Sequence, residues 1–204
     1  MRNALKLQRE ATALQKENNT ARYTALQNQL NPHFLFNSLN TLISEIRYNP
    51  ANAELFTQHL SDVYRYTLQC QNQRLTTLRE ELDFLNSYIF LHRVRLGDCI
   101  HIDNRLPEVC LDSQIPPLTI QLLAENVIKH NVIHMGKPMT IELFYLEKEK
   151  ELVVRNRIQA KKSATAFGTG LKNLSARYKL LCNRDIVIEN NLQEFTVKIP
   201  LLHE

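Results

Sequence analysis

The segment Leu30-Asn31-Pro32-His33-Phe34-Leu35-Phe36-Asn37-Ser38-Leu39-Asn40 constrains this chain more than any other stretch. A proline is tolerated in the first turn of a helix, where its missing N–H would be an orphan donor anyway. Downstream, Leu35, Leu39, Leu42 and Ile46 recur at the spacing of an apolar stripe. At about 100° per residue, that stripe lies opposite His33. The pattern predicts a long helix that packs on one side and holds an imidazole to water on the other. Asn37, four residues on, shares the face of the histidine. Taken alone, such a histidine reads as a solvated helix residue.

The remaining residues divide into a helical and a mixed half. Residues 1–30 lack helix breakers, and Ala4, Leu7, Ala11, Leu14, Asn18, Ala21, Ala25 and Asn28 alternate by threes and fours. That heptad seam suits a parallel coiled coil whose register is set by Asn18, or else a helix frayed outside its parent protein. A second helix is expected over 51–69, with Phe56, Leu60, Val63 and Thr67 on one face, separated from the first by Asn49-Pro50. The two form a helical hairpin, and two hairpins would bury their stripes as a dimeric four-helix bundle. Thr77-Leu78-Arg79-Glu80 has the form of a capping box that opens a helix to about residue 95, ended by Gly97. From Ile100 onward, β-type runs at 100–106, 139–146, 151–158, 186–189 and 195–201 alternate with helices at 118–131 and 170–182. Strands mixed with helices describe an α+β fold with an α/β sandwich.

Composition narrows the functional classes. The chain has 204 residues, 44% apolar and 23% charged, with a formal charge of +4 that is scattered rather than blocked. A scattered excess argues against direct nucleic-acid binding. Cys70, Cys99, Cys110 and Cys182 show no metal-ligand rhythm and read as reduced thiols of a cytoplasmic protein. No apolar run is long enough to cross a membrane.

Two polar clusters carry the remaining chemistry. In Glu125-Asn126-Val127-Ile128-Lys129-His130-Asn131, reached after Pro116-Pro117, oxygen acceptors and a lysine three residues apart suit a divalent cation and polyphosphate. The alternative is the polar face of an amphipathic helix. In Gly168-Thr169-Gly170-Leu171-Lys172-Asn173, two of four glycines precede a helix, where backbone N–H groups can approach phosphate.

These strings together resemble the LytS-like sensor histidine kinases of bacterial two-component systems. LNPHFLFNSLNTL is similar to their phosphoacceptor segment, ENVIKH to the asparagine box of the Bergerat-fold ATPase domain, and GTGLKNLSAR to the second glycine box. The resemblance implies that His33 accepts the γ-phosphoryl group of ATP and that Asn37 orients water for dephosphorylating a partner. It implies that Asn126 holds Mg²⁺, that Lys129 and His130 contact phosphates, and that Glu125 matches the water-polarising acid of hydrolysing relatives. Asn131, Gly168, Gly170 and Leu171 complete the nucleotide site, and residues 157–167 would be its lid. Residues 1–28 then form a helical lead-in, 29–75 the dimerisation and phosphoacceptor helices, and 76–204 the connecting helix and ATP-binding domain. The implied partners are a second copy of the chain and a response regulator, commonly one with a LytTR domain. Any membrane anchor would belong to a sensor region outside this chain, which leaves this part in the cytoplasm.

One position departs from the family. Its strand-end aspartate, which reads the adenine amino group, aligns with Arg155, its glycine with Arg157, and only Asn156 is retained. Arginine cannot accept a hydrogen bond. Either Asn156 substitutes through its carbonyl after a one-residue shift, or the chain is a weak or inactive signalling module of the same fold.

Overall fold

A computed structural model describes residues 32–161 and 169–202. The seam expected in residues 1–28, most of the expected lid, and Gly168 lie outside the described residues. The chain separates into two compact units, 1–49 and 50–204.

In the first unit, helix α1 runs Pro32–Tyr48. Pro32 is the first of its described residues. Phe36, Leu39, Ile43 and Ile46 are exposed on it, Phe36 at 66% and Ile46 at 57%.

The second unit begins with α2 (Pro50–Gln69), in which Phe56, Leu60, Val63 and Thr67 are buried as their spacing predicts. It lies against α3 (Leu78–Leu96). The rings of Tyr66 and Phe84 stack at 4.6 Å, and His59 meets Phe90 at 4.3 Å and the Ser87 hydroxyl at 3.1 Å. The Thr77 hydroxyl accepts from the Glu80 amide at 3.2 Å, and the Glu80 carboxylate accepts from the Thr77 amide at 3.0 Å. This closes the capping box that starts α3. Gly97 ends the helix with φ 81°, a backbone state that strains other residues. Two-residue strands β1 (Thr76–Thr77) and β3 (Gln114–Ile115) pair beside the start of α3.

The main sheet has five strands: β2 (Ile100–Asn104), β4 (Met139–Leu146), β5 (Glu151–Arg157), β6 (Val187–Asn190) and β7 (Glu194–Pro200). Their order is β2-β4-β5-β7-β6, with β2 parallel to β4 and every other pair antiparallel. Ile141 and Leu143, Leu152 and Val154, and Val197 and Ile199 are buried in adjacent cross-strand rows. Helices α4 (Thr119–His130) and α5 (Thr169–Cys182) complete the unit. Ile120, Leu123, Val127, Leu171, Leu174 and the fully buried Tyr178 are their core residues. The fold is thus mixed α/β, with helices and a mixed five-stranded sheet.

Candidate functional site

The pleat of β5 decides which residue at the strand end turns inward. Side chains alternate faces along a strand, and Asn156 continues the row of Leu152 and Val154, opposite Ile141 and Phe195. It is only 3% exposed, a single amide at the end of an apolar row, and its Nδ2 donates to the Arg157 carbonyl at 2.7 Å. Arg155 points to the other face. There it donates to Glu142 at 2.7 Å, lies 3.8 Å from Glu194 and covers the Phe144 ring at 5.2 Å. The inward position at the end of β5 therefore belongs to Asn156, one residue along from the alignment with Arg155.

Helix α4 has an unusual entry. Leu118 adopts a left-handed conformation, φ 63° and ψ 18°, and the Thr119 hydroxyl donates to the Pro116 carbonyl at 2.6 Å. The Glu81 carboxylate accepts from the amides of Leu118 at 2.7 Å and Ile120 at 3.0 Å. An anion at a helix N-terminus is stabilised by its free N–H groups and dipole.

On the polar face of α4, Asn126 has a buried amide nitrogen without a hydrogen-bond partner among the described residues. Leaving a buried polar atom unpaired costs about 1–3 kcal/mol, so the position is suited to an incoming ligand atom. A half-turn of the amide presents its oxygen there instead. Burial raises the pKa of Glu125, against a smaller lowering by Lys129. Burial lowers that of His130, and the lysines Lys129 and Lys161 lower it further. Lys129 itself is exposed.

Asn131 is differently employed. Its Nδ2 donates to the Val127 carbonyl at 2.9 Å and its Oδ1 accepts from the Gln159 amide at 2.7 Å. Both ends of the side chain are spent on joining the end of α4 to the segment after β5. The Val132 amide reinforces that join by donating to the Gln159 carbonyl at 2.8 Å, and the Lys161 ammonium donates to the carbonyls of Ile128 and Lys129 at 3.1 and 2.9 Å.

Helix α5 begins against α4. A Cβ placed on Gly170 would lie 3.2 Å from Leu122 Cδ1, so glycine permits this approach. Leu122 and Asn126 are one turn apart on the same face, which brings the orphaned amide close to the first turn of α5. Leu171 is buried, and farther along the Arg177 guanidinium donates to the Pro117 carbonyl at 2.9 Å. Gly170 thus meets α4 at Leu122, one helical turn before Asn126. An unpaired amide N–H suits an acceptor atom of a ligand, and Lys129 on the same helix is a cation suited to phosphate.

In the first unit, His33 is exposed and the Asn37 amide nitrogen lies 3.2 Å from its Nδ1. Sequence reasoning missed Glu81 and Tyr66, and had Arg177 only as the last residue of the glycine-box string. For Glu81 a signal existed, since it falls three residues after Leu78 and four before Leu85, in phase with the apolar stripe of α3.

The family model for histidine kinase matches residues 21–100. The chain is 31% identical over 172 residues to the sensor protein LytS of Staphylococcus haemolyticus, an alignment that covers 77% of this chain. The chain belongs to the LytS-like histidine kinase family. The sensor histidine kinase/phosphatase LytS of Staphylococcus aureus is 29% identical over 197 residues, 88% of this chain. This LytS-like chain spans 30% and 34% of the lengths of those two curated relatives. Among solved structures, the Acinetobacter baumannii histidine kinase AdeS matches with a TM-score of 0.42 at 14% identity, over 78% of this chain and 83% of that one. Among the described residues, no helix of the LytS-like chain is long and apolar enough to cross a membrane.

Proposed function

We propose that this chain is the kinase core of a two-component sensor, which phosphorylates His33 from Mg-ATP and passes the phosphoryl group to an aspartate of a response regulator. The observation that carries this reading is the buried amide nitrogen of Asn126, without a hydrogen-bond partner among the described residues, one turn from the Gly170 approach. In this reading, Asn126 supplies an oxygen to Mg²⁺, Lys129 and His130 contact phosphate oxygens, and the backbone around Gly168, Gly170 and Leu171 cradles the polyphosphate. Glu125 flanks the cation site, and Asn131 acts by fixing the loop rather than by touching the nucleotide. Bound Mg²⁺ would neutralise charge on the phosphate oxygens.

Neutral His33 offers one ring nitrogen as a nucleophile in line with the γ-phosphorus. Phe34 follows the histidine, so no adjacent acid serves as base. Asn37, within 3.2 Å of the ring, can hold the imidazole and orient water for dephosphorylating the regulator. Asn156 accepts from the adenine amino group through its carbonyl. The exposed apolar residues of α1 fit a homodimeric helical bundle built from residues 29–75, with 76–204 as connecting helix and catalytic domain. The regulator is of LytTR type, and a membrane sensor region belongs to the parent protein.

The presence of an amide, Asn156, in place of a carboxylate also favours a second reading, a catalytically weak signalling module. Incubation with γ-labelled ATP and Mg²⁺ separates the two. Acid-labile label that disappears in both His33→Ala and Asn126→Ala is expected of the kinase. Label that survives His33→Ala moves the acceptor elsewhere. Absence of both label and nucleotide binding leaves the inactive module.

A further inference from the structure

The carboxylate of Glu81 is fully buried, yet it is shared by three elements. It extends from the first turns of α3. Oε1 accepts from the Tyr66 hydroxyl of α2 at 2.8 Å and from the Leu118 amide at 2.7 Å, and Oε2 accepts from the Ile120 amide at 3.0 Å. All three partners are donors, an environment that suits the ionised carboxylate. Burial raises the pKa of the group, while these hydrogen bonds oppose the shift. The cationic Arg177 lies close enough to interact with it electrostatically and donates to Pro117, just before α4.

The Tyr66 contact is specific rather than incidental. Its ring is clamped by the stack on Phe84, and its hydroxyl also lies 3.3 Å from that of Thr76, which donates to Glu80 at 2.6 Å. A rotation of α2 by some 25° about its own axis would displace side chains at its surface by about 2 Å or more. That is enough to break a 2.8 Å hydrogen bond. The carboxylate would then keep only its backbone partners at the entry to α4, where Leu118 already holds a left-handed conformation that leucine disfavours.

We propose that Glu81 is a positioning residue that couples the attitude of α2 to the entry turn of α4, with the Tyr66 hydroxyl as the contact that a movement of α2 makes or breaks. The inference rests on the reading of α4 as the nucleotide helix only for its effect on phosphoryl transfer; the mechanical coupling stands apart from it. Among the described residues, the hydrogen bonds of Tyr66 and Glu81 reach none of the residues assigned to the nucleotide. Their influence passes through the backbone of residues 118–120, which sets the angle at which Asn126 is presented.

The test uses the full chain with Tyr66→Phe, which removes one oxygen and keeps the ring stack, and Glu81→Gln, which puts an amide donor among donors. Backbone hydrogen exchange is read at Leu118 and Ile120, alongside kcat and KM for autophosphorylation. In Tyr66→Phe, exchange at both amides should quicken about tenfold, the equivalent of one lost hydrogen bond to a charged group. The kcat should fall while KM for ATP stays within about twofold of the parent. Glu81→Gln should quicken exchange further, and if it fails to fold, Tyr66→Phe alone still decides. Unchanged exchange in a folded Tyr66→Phe overturns the coupling, as does a loss confined to the thermal midpoint. Quickened exchange in a chain that binds no nucleotide retains the coupling and overturns the kinase reading instead.

Discussion

Replacing Asn131 tests whether a residue of the asparagine box acts on the ligand or on the loop. Asn131 is 6% exposed and makes two side-chain hydrogen bonds, to the Val127 carbonyl and from the Gln159 amide. Asn131→Ala removes both and strands the Gln159 N–H in a partly buried place. With each neutral hydrogen bond contributing about 1 kcal/mol net, the loss should be about 2 kcal/mol. Asn131→Asp divides that loss. One carboxylate oxygen still accepts from Gln159, but the other must face the Val127 carbonyl, acceptor against acceptor. Asp should therefore destabilise through the α4 side alone, while Ala also frees the segment after β5. Urea unfolding followed by circular dichroism gives the totals, and amide exchange at Gln159 locates them. Exchange at Gln159 should quicken markedly in Asn131→Ala and little in Asn131→Asp. A stability change below about 0.5 kcal/mol in Asn131→Ala, combined with a large drop in nucleotide affinity, would refute the argument and return Asn131 to direct ligand contact.

Three further outcomes follow from a buried histidine, a half-buried arginine and a buried amide. Burial, with Arg95 adding to it, pushes His92 down from 6.5 to about 3, so the folded chain keeps it neutral while the unfolded chain takes up a proton below about 6.5. Stability should thus fall as the pH drops from about 6.5 towards 4, and His92→Phe should flatten that slope in urea midpoints; parallel slopes would exclude His92 as the cause. Arg155→Leu should change stability by less than about 1 kcal/mol and leave nucleotide affinity unaltered, because its ion pairs lie on the face opposite Asn156. Asn156→Ala should weaken that affinity, as calorimetry with Mg-ATP would record.

Elements with sustained periodicity were legible in the sequence. The strand expected over 139–146 is Met139–Leu146, and the helices expected over 51–69 and 118–131 are Pro50–Gln69 and Thr119–His130. Thr77 and Glu80 announced a helix start because a capping box is local chemistry, independent of the rest of the fold. Strands β1 and β3 passed unnoticed because two residues cannot display a period. At the candidate site, Asn126 and Gly170 were singled out by resemblance to the asparagine and glycine boxes, since their spacing alone fits the polar face of an amphipathic helix equally well. Spacing could not tell that Asn131 spends both amide ends on the loop, which depends on where residue 159 arrives. The resemblance put Arg155 where the family has its aspartate, whereas the side chain that turns inward at the end of β5 is Asn156. The alternation of Leu152, Val154 and Asn156 already held the answer, since parity along a strand fixes the face. Glu81 was hidden by habit, because a carboxylate on an apolar stripe usually marks the edge of that stripe rather than its centre.

The close fit between Gly170 and Leu122 bears on how such a chain can drift in evolution. A methyl group added at 170 would meet the end of the leucine side chain at 3.2 Å, so the two positions are not free to vary separately. Shortening Leu122 first would open room for alanine at 170. In the reverse order the end of the Leu122 side chain must yield by a few tenths of an ångström. Mutational paths through this pair therefore run in one direction more easily than in the other, and the order of substitutions matters as much as their identity.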